Sequence, residues 1–221
     1  MSNHLDLLLS DGRLLLTDGG LETDLLFNQG VDLPEFAAFP LLDSPDGAQR
    51  LRRYYESYLA IARGHGMGFV LETPTWRASS AWGARLGYDA AALDRVNRRA
   101  VAVMASLRGS WSRLGLPILI SGNIGPQADA YRPGTTLSAT AAQGYHAAQV
   151  ATFADAGVDL VTALTVTDVE EAIGIVRAAV SAGAPSSSPS PSRRTADCPA
   201  VSHSGRQSRP STGRRTRLPR T

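Results

Sequence analysis

The sequence predicts an α/β protein in which helices cover a parallel sheet. Three observations carry that expectation. Apolar runs of strand length alternate four times with segments of helical periodicity. The runs are continuously apolar, as strands buried on both faces must be. They end on Gly, Pro, Asp, Asn or Thr, where a chain leaves a sheet. Such units suit an open doubly wound sheet or an eight-fold barrel, and periodicity does not choose between them. Each unit spans roughly 40–55 residues, so eight would need far more than the 221 present.

Arg13–Thr17 (RLLLT) reads as the first strand and ends at Asp18-Gly19-Gly20. Residues 21–43, rich in Leu and Phe, read as an irregular excursion with a brief helical turn. Ser44-Pro45-Asp46 starts a helix, with a capping Ser and Pro at the first helical position. That helix carries Leu51, Tyr55, Tyr58, Leu59 and Ala62 on one face and stops at Gly64 and Gly66. Phe69-Val70-Leu71 is the second strand, ended by Glu72-Thr73-Pro74.

Residues 78–85 and 89–108 read as helices separated by Gly87. The second has Leu93, Val96, Ala100, Val103, Met104 and Leu107 at core spacing. Pro117–Ser121 is the third strand, followed by the loop GNIGPQADAYRPGTT. Ser138–Ala156 is a helix and Val158–Leu164 the fourth strand. Asp168–Ala182 is the last helix, with Thr167 as its candidate cap.

The net charge of +2 hides a split: residues 1–185 carry −5, and residues 186–221 carry +7. The acidic body gives no reason to expect nucleic acid or an anionic membrane as partner. The single cysteine, Cys198, excludes an intrachain disulfide and any multi-thiolate metal site within this sequence. The N-terminus lacks a basic segment before its apolar runs, and no run approaches a membrane span, so a cytoplasmic location is expected.

After residue 185 a βα protein needs another apolar strand, but a Ser/Pro/Arg-rich stretch follows. Read as it stands, 186–221 should be disordered. Synonymous codons for residues 185–200 can spell VVISFTVETDGRLPS one frame over, which supplies the missing strand. The tail therefore reads as out of frame, with a genuine disordered tail as the alternative. It lacks aromatic residues for base stacking, and its charge carries no nucleic-acid role.

Functional groups of parallel α/β proteins collect at the C-terminal ends of the strands. Asp18 is the leading candidate there, able to hold an ammonium or orient a water; the competing reading is a turn cap. Glu22 and Thr23 follow closely, Thr23 as a hydroxyl donor or a helix cap. Of Glu72 and Thr73 only one can point inward, and Thr73 is favoured because Pro74 restricts its backbone. Asn123 can donate and accept, or merely form a turn. Thr165 ends the fourth strand. His65 and His146 read as structural, and no phosphate-binding glycine loop or Ser–His–Asp set is present.

The stretches LLLTDGGLET, FVLETPTWRAS, ILISGNIGP and YHAAQVATFADAGVDLVTALTVTDVEEAIGI, in order, resemble the homocysteine S-methyltransferase family. The resemblance covers about residues 12–184 and is read as an N-terminal half only. It implies a (β/α)₈ TIM-type barrel with about four βα units present, and methyl transfer to the thiol of L-homocysteine, giving methionine. It further implies Zn²⁺ held by three cysteine thiolates, and a methyl donor such as S-methylmethionine or S-adenosylmethionine. Asp18 resembles the family's strand-one carboxylate near the substrate amino group, while Thr73 and Asn123 fall in segments that shape the pocket. Two departures stand out. Leu164 occupies the place of an acid that helps bind homocysteine, which suggests either that the substrate is held otherwise or that the acceptor is a related thiol or another group. The zinc cysteines would lie beyond residue 185, and Cys198 is not one of them. The expectation is family membership without the family's activity, with another barrel enzyme or a non-catalytic binding fragment as alternatives. Open sheet edges further predict self-association or aggregation.

Overall fold

The computed structural model describes Gly12, residues 14–129 and residues 137–184. Its strands are β1 (Leu15–Thr17), β2 (Gly68–Glu72), β3 (Ile118–Ile124) and β4 (Leu160–Ala163). They form one parallel sheet in the order β1-β2-β3-β4. Strands placed in sequence order without a reversal belong to a barrel; a doubly wound sheet reverses at a switch point. The helices are α1 (Pro45–Gly64), α2 (Ser80–Arg85), α3 (Ala90–Ser112), α4 (Ala139–Ala156) and α5 (Val169–Ser181).

The sheet has two different faces. Phe69, Leu71, Ile118 and Ile120 point into the main core, against α1 and α3 residues such as Leu51, Leu59, Met104 and Leu107. Val70 and Leu119 point the other way, and with the half-buried Leu15 and Leu160 they form a small separate cluster on the inner face. Because strand side chains alternate, Thr17, Glu72, Ser121, Asn123 and Thr162 continue that inner face toward the C-terminal ends.

The helix starts follow local chemistry. The Ser44 hydroxyl accepts from Gly47 N at 3.0 Å, with Pro45 in the first turn. Asp89 caps α3 by accepting from Ala92 N at 2.7 Å. For α5 the cap is Asp168, which accepts from Glu170 N at 2.8 Å, rather than the expected Thr167. In α1 the buried face holds Tyr54 beside Leu51, Tyr55, Leu59 and Ala62, whereas Tyr58 is only partly covered.

Strand β3 runs further than its sequence suggests. Asn123 and Ile124 pair with Thr162 and Ala163, so Gly122 and Asn123 belong to the strand and not to a loop. Gly122 is required by packing: a Cβ there would lie 2.5 Å from the Phe153 ring of α4. The excursion after β1 opens with a helical turn at Leu21–Thr23, which widens into a π-helical segment at Asp24–Asn28. Two 3₁₀ turns follow, Pro34–Phe36 and Phe39–Asp43. Leu25, Phe39 and Leu42 are wholly buried and pin it to the core. The expected tail, 186–221, lies outside the described residues, and Cys198 with it.

Candidate functional site

A cavity of about 330 Å³ opens at the C-terminal ends of the four strands. Asp18 sits just past β1, and Gly20 beyond it takes a left-handed conformation (φ 65°) that glycine adopts without strain. Tyr54 of α1 donates its hydroxyl to Asp18 Oδ2 at 3.0 Å and lies 3.1 Å from Gly19 O. Asp18 Oδ1 has no protein partner. Burial pushes the Asp18 carboxyl up to about 6, against the opposing pull of the Tyr54 bond.

Two more acids line the cavity. Burial raises Glu22 to about 7; its own backbone N–H opposes this, Asp18 adds to it, and Arg77 opposes it again. Burial likewise raises Glu72 to about 7, against hydrogen bonds from Ser121 and Thr162 and with a further push from Asp18. Ser121 Oγ and Thr162 Oγ1 lie 2.7 Å apart beneath it. Glu72 Oε2 and Asn123 Oδ1 are also buried without a partner.

The segment after β2 forms one wall through a closed ring of hydrogen bonds. Asn123 N donates to Thr73 Oγ1 at 2.9 Å, and Thr75 Oγ1 donates to Asn123 O at 2.8 Å. The two threonine hydroxyls are 2.6 Å apart. Since the Thr75 proton goes to Asn123 O, Thr73 must donate to Thr75. Trp76 stands on this wall and donates Nε1 to Thr165 Oγ1 at 3.0 Å and to Leu164 O at 3.3 Å. Its ring meets Phe36 edge-on, with centroids 6.4 Å apart. Phe36 and Thr165 both hold left-handed backbones (φ 56° each), an uncommon and costly conformation for a residue with a Cβ. Gly125 lets the wall close: a Cβ there would sit 2.3 Å from Trp76 O.

The five residues singled out in the sequence, Asp18, Thr23, Thr73, Asn123 and Thr165, all line this one cavity. One expectation is corrected. Glu72, not Thr73, continues the inner face from Val70, and the Thr73 hydroxyl is committed to Thr75. Which face of the sheet Val70 occupies is not written in the sequence, so alternation alone could not decide between them. Tyr54, Phe36 and Trp76 carry no sequence signal for the site, because the fold brings them there from a helix and two loops.

The three-thiolate zinc site implied by the resemblance finds no fit in this chain. Its only cysteine is Cys198. Among the described residues no group of three or more His, Cys, Asp or Glu is arranged to hold a metal. The cavity offers carboxylate and hydroxyl oxygens, hard donors that differ in kind from thiolates. Among the same residues no helix is long and apolar enough to cross a membrane.

A family model described as homocysteine S-methyltransferase matches residues 15–198. No curated protein matches the chain at a significant level. Among solved structures, the Escherichia coli homocysteine methyltransferase MmuM in its metallated form is 24% identical, with a TM-score of 0.66. That match covers 82% of this chain and 64% of MmuM. The oxidized form gives 24% identity and a TM-score of 0.67, over 83% of this chain and 63% of that one. The apo form gives 23% and 0.59, over 82% and 60%. At these identities the structures establish the fold, a barrel-type α/β sheet. The chain thus spans a little under two thirds of those relatives' length. The likeness is therefore not limited to an N-terminal half, and the family match crosses residue 185 to reach residue 198.

Proposed function

The chain belongs to the homocysteine S-methyltransferase family, and from that premise we propose that the cavity binds the amino-acid end of homocysteine or a related thiol. The observation that carries this reading is a set of unpartnered acceptors. Asp18 Oδ1, Glu72 Oε2 and Asn123 Oδ1 are buried without donors around one cavity. Buried acceptors left without donors are costly, and an α-ammonium supplies three N–H groups at once. Asp18 is the primary partner, held by Tyr54, with Thr23 at the rim and Asn123 opposite. Thr73 acts indirectly, by fixing Asn123 through its backbone. Thr165, held by Trp76, shapes the far side.

The proposed co-substrate is a methyl donor such as S-methylmethionine or S-adenosylmethionine. Thiol attack needs the thiolate, and a metal such as zinc supplies it when bound. The oxygen donors here give no such site, so the proposal for this 221-residue chain is acceptor binding without methyl transfer. A second reading rests on Leu164, which is 41% exposed at the cavity beside Phe36 and Trp76 and replaces a polar contact with an apolar one. It favours an acceptor with a more apolar tail than homocysteine.

Calorimetric titration at pH 8 tests both. L-Homocysteine should bind saturably, its N-acetyl derivative should not, and Asp18→Asn should weaken binding about tenfold or more. Equal binding of the acetylated compound removes the ammonium reading. A panel of thiol and thioether amino acids ranks the two acceptor classes, and methionine formation with S-methylmethionine and added Zn²⁺ would overturn the non-transfer proposal.

A further inference from the structure

A second cavity, of about 480 Å³, lies among α2, α3 and α4. It shares no lining residue with the cavity at the strand ends. Its floor is made of buried residues from three elements: Ala78 and Ser79 ahead of α2, Leu93 and Asn97 of α3, and Gln149 of α4. Exposed Ala84 of α2 and Ala148 of α4 stand at its mouth, and their small side chains leave the entrance open. The volume falls within the range of about 300–1,000 Å³ that small-molecule sites occupy.

Two buried amides fix the chemistry of the floor. Asn97 Nδ2 donates to Ala78 O at 3.0 Å and to Leu93 O at 2.9 Å, so its Oδ1 is the acceptor. Gln149 Nε2 donates to that Oδ1 at 3.2 Å and to Thr75 O at 3.1 Å. Turning the Gln149 amide over would set its oxygen against two acceptors, so its orientation is determined. Gln149 is 5% exposed, and its Oε1 is left without a donor. A buried acceptor in that state is costly. One turn earlier on α4, Tyr145 stands on the same face of the helix. Its hydroxyl accepts from Ala81 N at 3.2 Å and lies 2.8 Å from Ser79 Oγ. The two hydroxyls hold two protons and share only one between them. Whichever of them donates, one proton remains to be given.

We propose that this cavity binds a small neutral molecule with an apolar ring and an amide edge. The ligand N–H donates to Gln149 Oε1, and its carbonyl accepts the spare proton of the Ser79–Tyr145 pair. Ala78, Leu93 and the ring of Tyr88 meet the apolar part. Asp89 and Asp94 also line the cavity and disfavour an anion. Both are already engaged, Asp89 as the cap of α3 and Asp94 by Thr152 and Arg98, which favours a neutral ligand over a cation. Gln149 has a second task, because Thr75, whose carbonyl it holds, belongs to the hydrogen-bonded wall of the strand-end cavity.

Benzamide serves as the probe, titrated into the full chain and followed by amide NMR. It should bind saturably with a Kd of about a millimolar or tighter. The backbone amides of Ala81, Tyr145 and Gln149 should shift, rather than those of Asp18 and Asn123. N,N-Dimethylbenzamide has no N–H, so Oε1 stays unpaired beneath it, and it should bind at least about tenfold more weakly. Gln149→Leu removes the acceptor and should weaken benzamide to a similar degree, but it also releases Thr75 O. Ala148→Phe is therefore the second variant: it sets a ring at the exposed mouth, and should block benzamide while leaving the spectrum of the folded chain intact. Absence of saturable benzamide binding, shifts confined to the strand-end cavity, equal affinity for the dimethyl compound, or undiminished binding to either variant would each overturn the proposal.

Discussion

At the scale of single residues, the cavity carboxylates set the pH behaviour. Asp18, Glu22 and Glu72 are all raised, from 3.8 to about 6 and from 4.5 to about 7. In the unfolded chain they ionise near 4, so between pH 4 and pH 7 the folded chain holds more protons than the unfolded one. Stability is therefore fully present below pH 4 as far as these groups are concerned, and it falls as pH rises through 6 to 7. For Glu72, which is 8% exposed, the loss is of order 1–3 kcal/mol. Thermal melts without ligand should show a lower Tm at pH 8 than at pH 5.5, and Glu72→Gln should flatten that slope. A cationic ligand reverses the sign, because an ammonium prefers the ionised acids. Homocysteine affinity should rise over the same interval, with proton release seen as a buffer-dependent heat; a flat affinity would show that the acids do not face the ligand.

At the scale of elements, the site depends on how neighbouring units are pinned. Glu171, in the first turn of α5, accepts from His146 Nε2 of α4 at 2.9 Å and from Gln127 N of the segment after β3 at 2.7 Å. Burial alone would raise its carboxyl, but these two bonds hold it below the usual range. Glu170 accepts from Ala139 N at the start of α4. Glu171→Ala strands the buried His146 and the half-buried Gln127 N–H and should cost about 1–3 kcal/mol in a denaturant melt. Trp76→Phe keeps the ring but removes the donor that holds Thr165 in its left-handed turn, so it should weaken ligand binding several-fold with about 1 kcal/mol of stability lost. Much of this level was legible in the sequence, because caps and apolar runs are local signals. Ser44-Pro45 marked α1, and continuous apolar runs marked β2 and β3. What was not legible depends on distant partners. The end of β3 is set by pairing with β4, the choice of Asp168 over Thr167 by the turn entering α5, and the inward direction of Glu72 by which face of the sheet Val70 occupies. The five candidate residues could be placed at strand ends, but the acids beside them gain their character from burial that only the assembled cavity provides.

At the scale of the whole molecule, the sheet has two interior strands buried throughout and two edge strands that are not. Its main core is complete on the helix side, where Leu51, Leu59, Phe69, Met104 and Leu107 are wholly buried. On the inner face only the middle of the sheet is covered. The helix side therefore carries the stability of the fold, and the two faces of α5 should respond differently to substitution. Val176, 57% exposed on the side of α5 away from α4, should tolerate a change to Lys within about 0.5 kcal/mol in a denaturant melt. Glu171→Ala, on the packed side, should lower the midpoint clearly, and an equal loss from both variants would show that the Val176 face of α5 is packed within the fold.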